Sequence, residues 1–185
     1  VLTPKKLGVY GAVEKAKRLA LKGMILLNQF ENVDNVNAHH QTGYEILREV
    51  KRVDAFVAGV GTGGTLMGVA EVLKKRSPDT QIVAVEPYNS AVISGGTPGD
   101  HRIEGIGEGF IPKLVEDRMN LIDKIIKVKD SDAIRMAARL SKEEGLFVGI
   151  SSGANVVASL KIARGMKKGA VVTVLPDSAD RYMDT

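Results

Sequence analysis

Apolar and polar positions along the 185-residue chain alternate between two periods, and the switches between them mark the elements. Val9, Val13, Ala16, Leu19 and Ala20 recur at helical spacing, which predicts a helix over Val9–Leu21. Met24 to Phe30 is a short apolar run after Gly23 and reads as a buried strand. Glu31 to Asn37 is polar and asparagine-rich, so a loop is expected there, serving as a hinge before a helix over Ala38–Val50. Apolar run Ala55–Val60, helical pattern Leu66–Arg76 and apolar run Gln81–Val85 then compose a strand–helix–strand unit. A crossover of that kind requires parallel strands.

The stretch from Pro87 to Asn120 is glycine-rich and aperiodic, and loops of that length are usually functional or disordered. Ile125–Val128 predicts another strand, and Asp130 or Ser131 starts a helix running to Glu144. Leu146–Ile150 is a short apolar run that ends at a helix start, Ser151, with that helix continuing to Met166. Ala170–Leu175 alternates little and is expected to be a strand buried on both faces. Strands and helices alternate throughout, so the fold class is α/β: a mostly parallel twisted sheet with helices on both faces. Residues 1–32 read as the remnant of a smaller amino-terminal domain and residues 33–185 as the main α/β domain.

Composition narrows the function classes. The apolar share is 44% and the charged share 26%, ordinary for a soluble globular protein. The net charge of +4 is spread over helical faces, and only 4% of residues are aromatic, so nucleic-acid binding is disfavoured. There is no cysteine, hence no disulfide framework and no thiol chemistry from this chain; that fits a reducing cytoplasm. No apolar run has the length of a membrane span. His39 and His40 lack clustered partners, and no metal site is expected.

The chemistry concentrates at Gly59-Val60-Gly61-Thr62-Gly63-Gly64-Thr65, a glycine-rich turn between a strand and a helix. Glycines expose backbone N–H groups, the helix start adds partial positive charge, and threonine hydroxyls add donors; together they suit a phosphate ester. Gly59, Gly61 and Gly64 also satisfy the dinucleotide pattern G-x-G-x-x-G, with Glu86 ending the next strand, whereas the Walker A pattern is not met. A turn that needs glycine only for its backbone angles is the bland alternative.

Gly61-Thr62-Gly63-Gly64-Thr65 resembles the phosphate loop of fold-type II pyridoxal-phosphate (PLP) enzymes. Asn28-Gln29-Phe30-Glu31-Asn32, Gly105 through Pro112, Val148 through Ala154, and Leu175-Pro176-Asp177-Ser178 with Arg181-Tyr182 resemble, in order, motifs of the cysteine synthases (O-acetylserine sulfhydrylases). That resemblance implies PLP as cofactor, held by Gly61, Thr62, Gly63, Gly64, Thr65 and Ser151, the serine lying at the pyridine nitrogen. A neutral hydroxyl there draws less charge into the ring than a carboxylate would, which favours β-elimination over transamination. Ser151 or Ser152 could instead serve only as a helix N-cap. Gln29 and Gly105 are implied to contact substrate; the bland alternatives are a polar residue ending a strand for Gln29 and simple loop flexibility for Gly105.

The implied reaction removes acetate from O-acetylserine and adds sulfide, giving L-cysteine, in a cytoplasmic homodimer. The Schiff-base lysine of the resembled family matches none of Lys5, Lys6, Lys15, Lys17 or Lys22. In the resembled family it lies in the amino-terminal part, ahead of the point where this chain begins at Val1, so the expectation is that the chain lacks it and is inactive alone. The Glu31–Thr42 stretch departs from the family pattern: it lacks the usual Asn-Pro after Gln-Phe and has one residue fewer before Thr42-Gly43. Ala179-Asp180 stands where glycine and a charged residue are usual. A cystathionine β-synthase-like enzyme and a non-catalytic phosphate- or nucleotide-binding module remain alternatives.

Overall fold

The computed structural model describes residues 1–182. Its centre is a four-stranded, wholly parallel sheet of β1 (Ala55–Gly59), β2 (Gln81–Pro87), β3 (Lys124–Val128) and β4 (Val171–Thr173), in the order β3-β2-β1-β4. β1 pairs with β2 through Val57↔Val83 and with β4 through Val57↔Thr173. Period-2 alternation divides the strand side chains between two cores. Phe56, Ala58, Ile82 and Ala84 pack with Leu66, Met67 and Leu73 on one face; Ala55, Val57, Val83 and Val85 pack with Ala154, Ala158 and Ile162 on the other. Both faces of the central strands are dry, which is why β1 and β2 read as nearly continuous apolar runs.

The helices are α1 (Gly8–Ala20), α2 (Asp34–Glu49), α3 (Gly64–Arg76), the short α4 (Lys113–Glu116), α5 (Asp130–Glu144) and α6 (Ile150–Ala163). α2 and α3 cover one face of the sheet and α5 and α6 the other. α2 and α3 approach closely because Gly43 faces the Val72 side chain and Gly68 faces the Val36 carbonyl, where any side chain would collide. The expected aperiodic stretch after β2 contains α4 and two short 3₁₀ turns, Tyr88–Ser90 and Met119–Leu121.

Three expectations need correction. Met24–Phe30 forms no strand: it is an extended segment ending in a turn, with Ile25 93% exposed. A strand exists by pairing, and no strand among the described residues pairs with this segment. The expected hinge Glu31–Asn37 is largely helical, because α2 begins at Asp34, four residues before Ala38. The Asn32 side chain accepts the Asp34 N–H at 3.0 Å, Asp34 places an acidic group in the first turn, and Asn35 and Asn37 lie inside the helix rather than in a loop. β4 spans only Val171–Thr173 and is half-buried, since it lies at the sheet edge.

Candidate functional site

Strand order reverses at β1, with β2 on one side and β4 on the other, and a cavity of about 360 Å³ opens at the carboxyl ends of β1 and β4. Open parallel sheets bind ligands at that switch point, because diverging connections leave a crevice there. The bend after β1 contributes Gly59, Gly61, Thr62, Gly63 and Thr65 to the wall; the segment after β4 contributes Val174, Pro176 and Asp177. The start of α6 adds Ser151 and Asn155, and the loop following β2 adds Glu104, Gly105 and Ile106.

The bend is shaped by its glycines. Gly63 has φ +86°, a left-handed conformation that a β-carbon disfavours, and its position abuts Val115. At Gly61 a β-carbon would strike the Gly105 carbonyl oxygen, so two loops touch backbone to backbone across the cavity rim. Gly107 N–H donates to the Val60 carbonyl at 3.0 Å and completes that junction. Helix α3 then starts at Gly64 with a glycine at its N-cap and no acidic residue in its first turn; the Gly64 N–H is met at 3.3 Å by Thr62 Oγ1. Its first N–H groups lack intrahelical acceptors and carry the positive end of the helix dipole.

The start of α6 differs. Asp177 accepts from Ser151 N–H at 3.1 Å and from Ser152 N–H at 3.0 Å, and the Ser152 hydroxyl also bonds that carboxylate. A residue distant in sequence therefore caps this helix. The capping role considered for Ser151 is not taken by its side chain: the N-cap position is Gly149, and Ser151 lies inside the helix, buried, at the cavity wall. Asn155, four residues on and so on the same helical face, donates to the Val174 carbonyl at 2.9 Å. Its Oδ1 is buried with no partner among the described residues.

Of the residues singled out in the sequence, Gly61, Thr62, Gly63, Thr65, Ser151 and Gly105 line this one cavity, and Gly64 opens α3 directly behind it. Gln29 does not join them. Its side chain is exposed, and it lines a separate groove against α1 with Val9, Val13 and Phe30. The Gln29 carbonyl nevertheless connects to the bend, since Asn35 Nδ2 donates to it at 2.9 Å and to Thr62 Oγ1 at 2.9 Å. Asn35 and Asn155 escape sequence reading because nothing local distinguishes them from helix-start or surface asparagines. The (i, i+4) relation of Asn155 to Ser151 was the one available signal.

Glu86 lies one residue before the end of β2 and does not face a ligand space. It is fully buried and accepts from Ile93 N–H at 2.9 Å, Ser94 N–H at 3.2 Å and the Ser94 hydroxyl. A second, larger cavity of about 730 Å³ adjoins the first through Glu104, Gly105 and Ile106 and extends to the start of α1. Burial pushes the Glu108 carboxyl up there, against the opposing pull of His101. Among the described residues no lysine lines the smaller cavity, whereas Lys6 lines the larger one. No group of three or more potential metal ligands occurs among the described residues, and no described helix is long and apolar enough to cross a membrane.

Comparison with known proteins identifies the family. The family model described as "Pyridoxal-phosphate dependent enzyme" matches residues 5–177. A cysteine synthase of Staphylococcus aureus is 48% identical over all of this chain, which covers 61% of that relative. Cysteine synthase B of Campylobacter jejuni is 46% identical, again over the whole chain and 62% of the relative. The crystal structure of a cysteine synthase from Entamoeba histolytica superposes with a TM-score of 0.90 at 40% identity, over 100% of this chain and 56% of that one. An O-acetylserine dependent cystathionine beta-synthase from Helicobacter pylori superposes with a TM-score of 0.93 at 41% identity, over 100% and 61% respectively. The chain thus spans about three fifths of the length of its curated relatives.

Proposed function

Since the chain belongs to the family of pyridoxal-phosphate dependent enzymes, we propose that it forms the cofactor-holding part of a cysteine synthase that makes L-cysteine from O-acetylserine and sulfide. The observation that carries this reading is the meeting of the Gly/Thr bend and Ser151 on one cavity at the sheet's switch point. The residues present suit the cofactor. The start of α3, with no acidic residue in its first turn, suits a phosphate dianion, and the buried Ser151 and Asn155, whose Oδ1 has no partner among the described residues, supply further polar groups on the wall.

In this reading Gly61–Thr65 take the ester through backbone N–H groups and threonine hydroxyls, and Ser151 meets the ring nitrogen with a neutral hydroxyl. PLP, when bound, supplies the electron sink that allows loss of the β-substituent. The chain's own work is to hold and orient: the dry faces of β1 and α6 fix the wall, and Asp177 locks the start of α6 so that Ser151 is held in place. Gly105, on the rim, is assigned to substrate contact; Gln29 is assigned to the same task only if the groove against α1 closes toward the cavity. No lysine among the described residues lines the cavity and the chain spans about three fifths of its curated relatives, so the covalent lysine anchor is assigned to the part of the full-length protein beyond these 185 residues, which alone are expected to turn over little substrate.

Residues 1–32 are proposed as part of a smaller domain and 33–185 as the cofactor domain, a division supported by α1 burying none of its residues. The full-length protein is proposed as a cytoplasmic homodimer. Similarity to the Helicobacter pylori enzyme favours a second reading, in which a thiol-bearing amino acid replaces sulfide at the same site. The nucleotide-binding alternative is disfavoured by Glu86, whose oxygens are engaged by the 93–94 backbone.

The test is to titrate the full-length protein with PLP, recording its visible absorbance, and then assay O-acetylserine with sulfide. Bound PLP and cysteine release are expected, both weakened by Ser151→Asp. Failure to bind PLP, or binding unaffected by substitution of the Gly/Thr bend, overturns the reading.

A further inference from the structure

We infer that helix α2 sets the hydrogen-bond polarity of the anion cradle: Asn35 and His39 occupy the acceptor sides of Thr62 and Thr65, so that both hydroxyls present protons to the cavity. The inference rests on the reading of that cavity as the PLP phosphate site and adds positioning residues to it.

The argument for Asn35 is one of counting. Its side-chain nitrogen lies 2.9 Å from the Gln29 carbonyl and 2.9 Å from Thr62 Oγ1. A carbonyl only accepts, so Gln29 fixes which end of the amide is the NH₂ group. That group has two protons, and the second goes to Thr62 Oγ1. The same oxygen accepts the Gly64 N–H at 3.3 Å. A hydroxyl offers two acceptor sites and one proton. With both acceptor sites taken, Thr62, which lines the cavity, has only its proton left to give.

His39 lies one turn further along the same face of α2. Its Nε2 is 3.1 Å from Thr65 Oγ1 and its Nδ1 is 3.3 Å from Thr42 Oγ1. Burial pushes the imidazole down from its ordinary value, which keeps the ring neutral, with one donor and one acceptor nitrogen. When Nε2–H donates to Thr65 and the Thr42 hydroxyl donates to Nδ1, Thr65 keeps its proton for the cavity. The alternative tautomer would turn Thr65's lone pairs toward an anion. A dianion therefore selects the first arrangement. The glycines that let α2 approach α3, Gly64 beside the Asn35 side chain and Gly68 beside the Val36 carbonyl, bring both side chains within reach.

The experiment is a pair of double-mutant cycles in the full-length protein, with PLP as the probe. Affinity is read from visible absorbance and the phosphate environment from its ³¹P resonance. Asn35→Leu and Thr62→Val should each weaken PLP binding about tenfold, as expected for a lost hydrogen bond to a charged group. The double variant should be no weaker than Thr62→Val alone. His39→Leu and Thr65→Val should behave alike. Asn35→Leu should also shift the ³¹P resonance with Thr62 present and leave it unmoved with valine there; a purely structural role would not produce that dependence.

Asn35→Asp guards against poor folding of the leucine variant. It places an acceptor beside Thr62, captures the hydroxyl proton, and should cost more affinity with Thr62 present than with valine. Additive losses, or an unmoved resonance in Asn35→Leu, overturn the inference and leave the PLP site standing. Absence of PLP binding by the unsubstituted protein overturns both.

Discussion

Gly61 carries a burden that no other residue type can meet. A β-carbon there would run into the Gly105 carbonyl oxygen, and backbone cannot swing aside as a flexible side chain can. Gly61→Ala should therefore cost about 1–3 kcal/mol through overpacking and lower PLP affinity as the two loops separate. Denaturant unfolding with and without PLP measures both; an alanine variant equal to the parent in both would show that the loops do not meet as described. Ser151 makes a different point at the same scale. A serine at a helix start usually caps, but here the carboxylate of Asp177 caps and leaves the Ser151 side chain to the cavity wall. Sequence singled out the residue and left its two uses unresolved, because the cap comes from a position 26 residues away.

Between elements, polar ties decide how the wall is held. Asp177 joins the segment after β4 to the start of α6, and Asp177→Ala should destabilise the protein by about 1–2 kcal/mol through loss of the cap. The loss should appear in thermal unfolding, together with weaker PLP binding because Ser151 is no longer fixed. Undiminished stability would remove the cap from the account.

Glu71 on α3 ties α2 to the turn after α4, accepting from Arg118 at 2.6 Å and pairing with His40 at 2.7 Å. Burial alone would raise its carboxyl, but the bonds from Arg118 and His40 outweigh burial and hold it below its ordinary 4.5. A depressed carboxylate contributes stability that is complete above pH 4.5 and lost as pH falls through the folded value. Glu71→Gln should flatten that acid limb of the stability curve; an unchanged limb would count against the tie. The (i, i+4) periodicity of these helices was legible in the sequence. Their polar partners were not, since each pair joins residues far apart in the chain.

Across the whole molecule, stability should be uneven. The sheet strands β1 and β2 are dry on both faces, whereas α1 buries none of its residues and Met24, Ile25 and Leu27 are exposed. Hydrogen exchange should show residues 24–28 nearly unprotected and β1 and β2 exchanging only with global unfolding. Equal protection of the two regions would contradict the proposed division at residue 32. The strand expected at Met24–Phe30 and not formed has the same origin: an apolar run states that a segment wants burial, and only a neighbour decides whether it receives it.

The sequence by itself determined what depends on local chemistry and period. The alternation of strands and helices, the parallel crossover, the anion-suited Gly/Thr bend and the family resemblance all follow from residues close together in the chain. Tertiary structure decided what depends on distant partners. It brought Ser151 and the bend to one cavity, moved Gln29 away from it, engaged Glu86 with the 93–94 backbone, and put Asn35 and His39 behind the threonines. The reason is physical: a backbone's preferences act over a few residues, while a hydrogen bond or a shared cavity wall requires atoms that only the packed sheet and helices bring within reach.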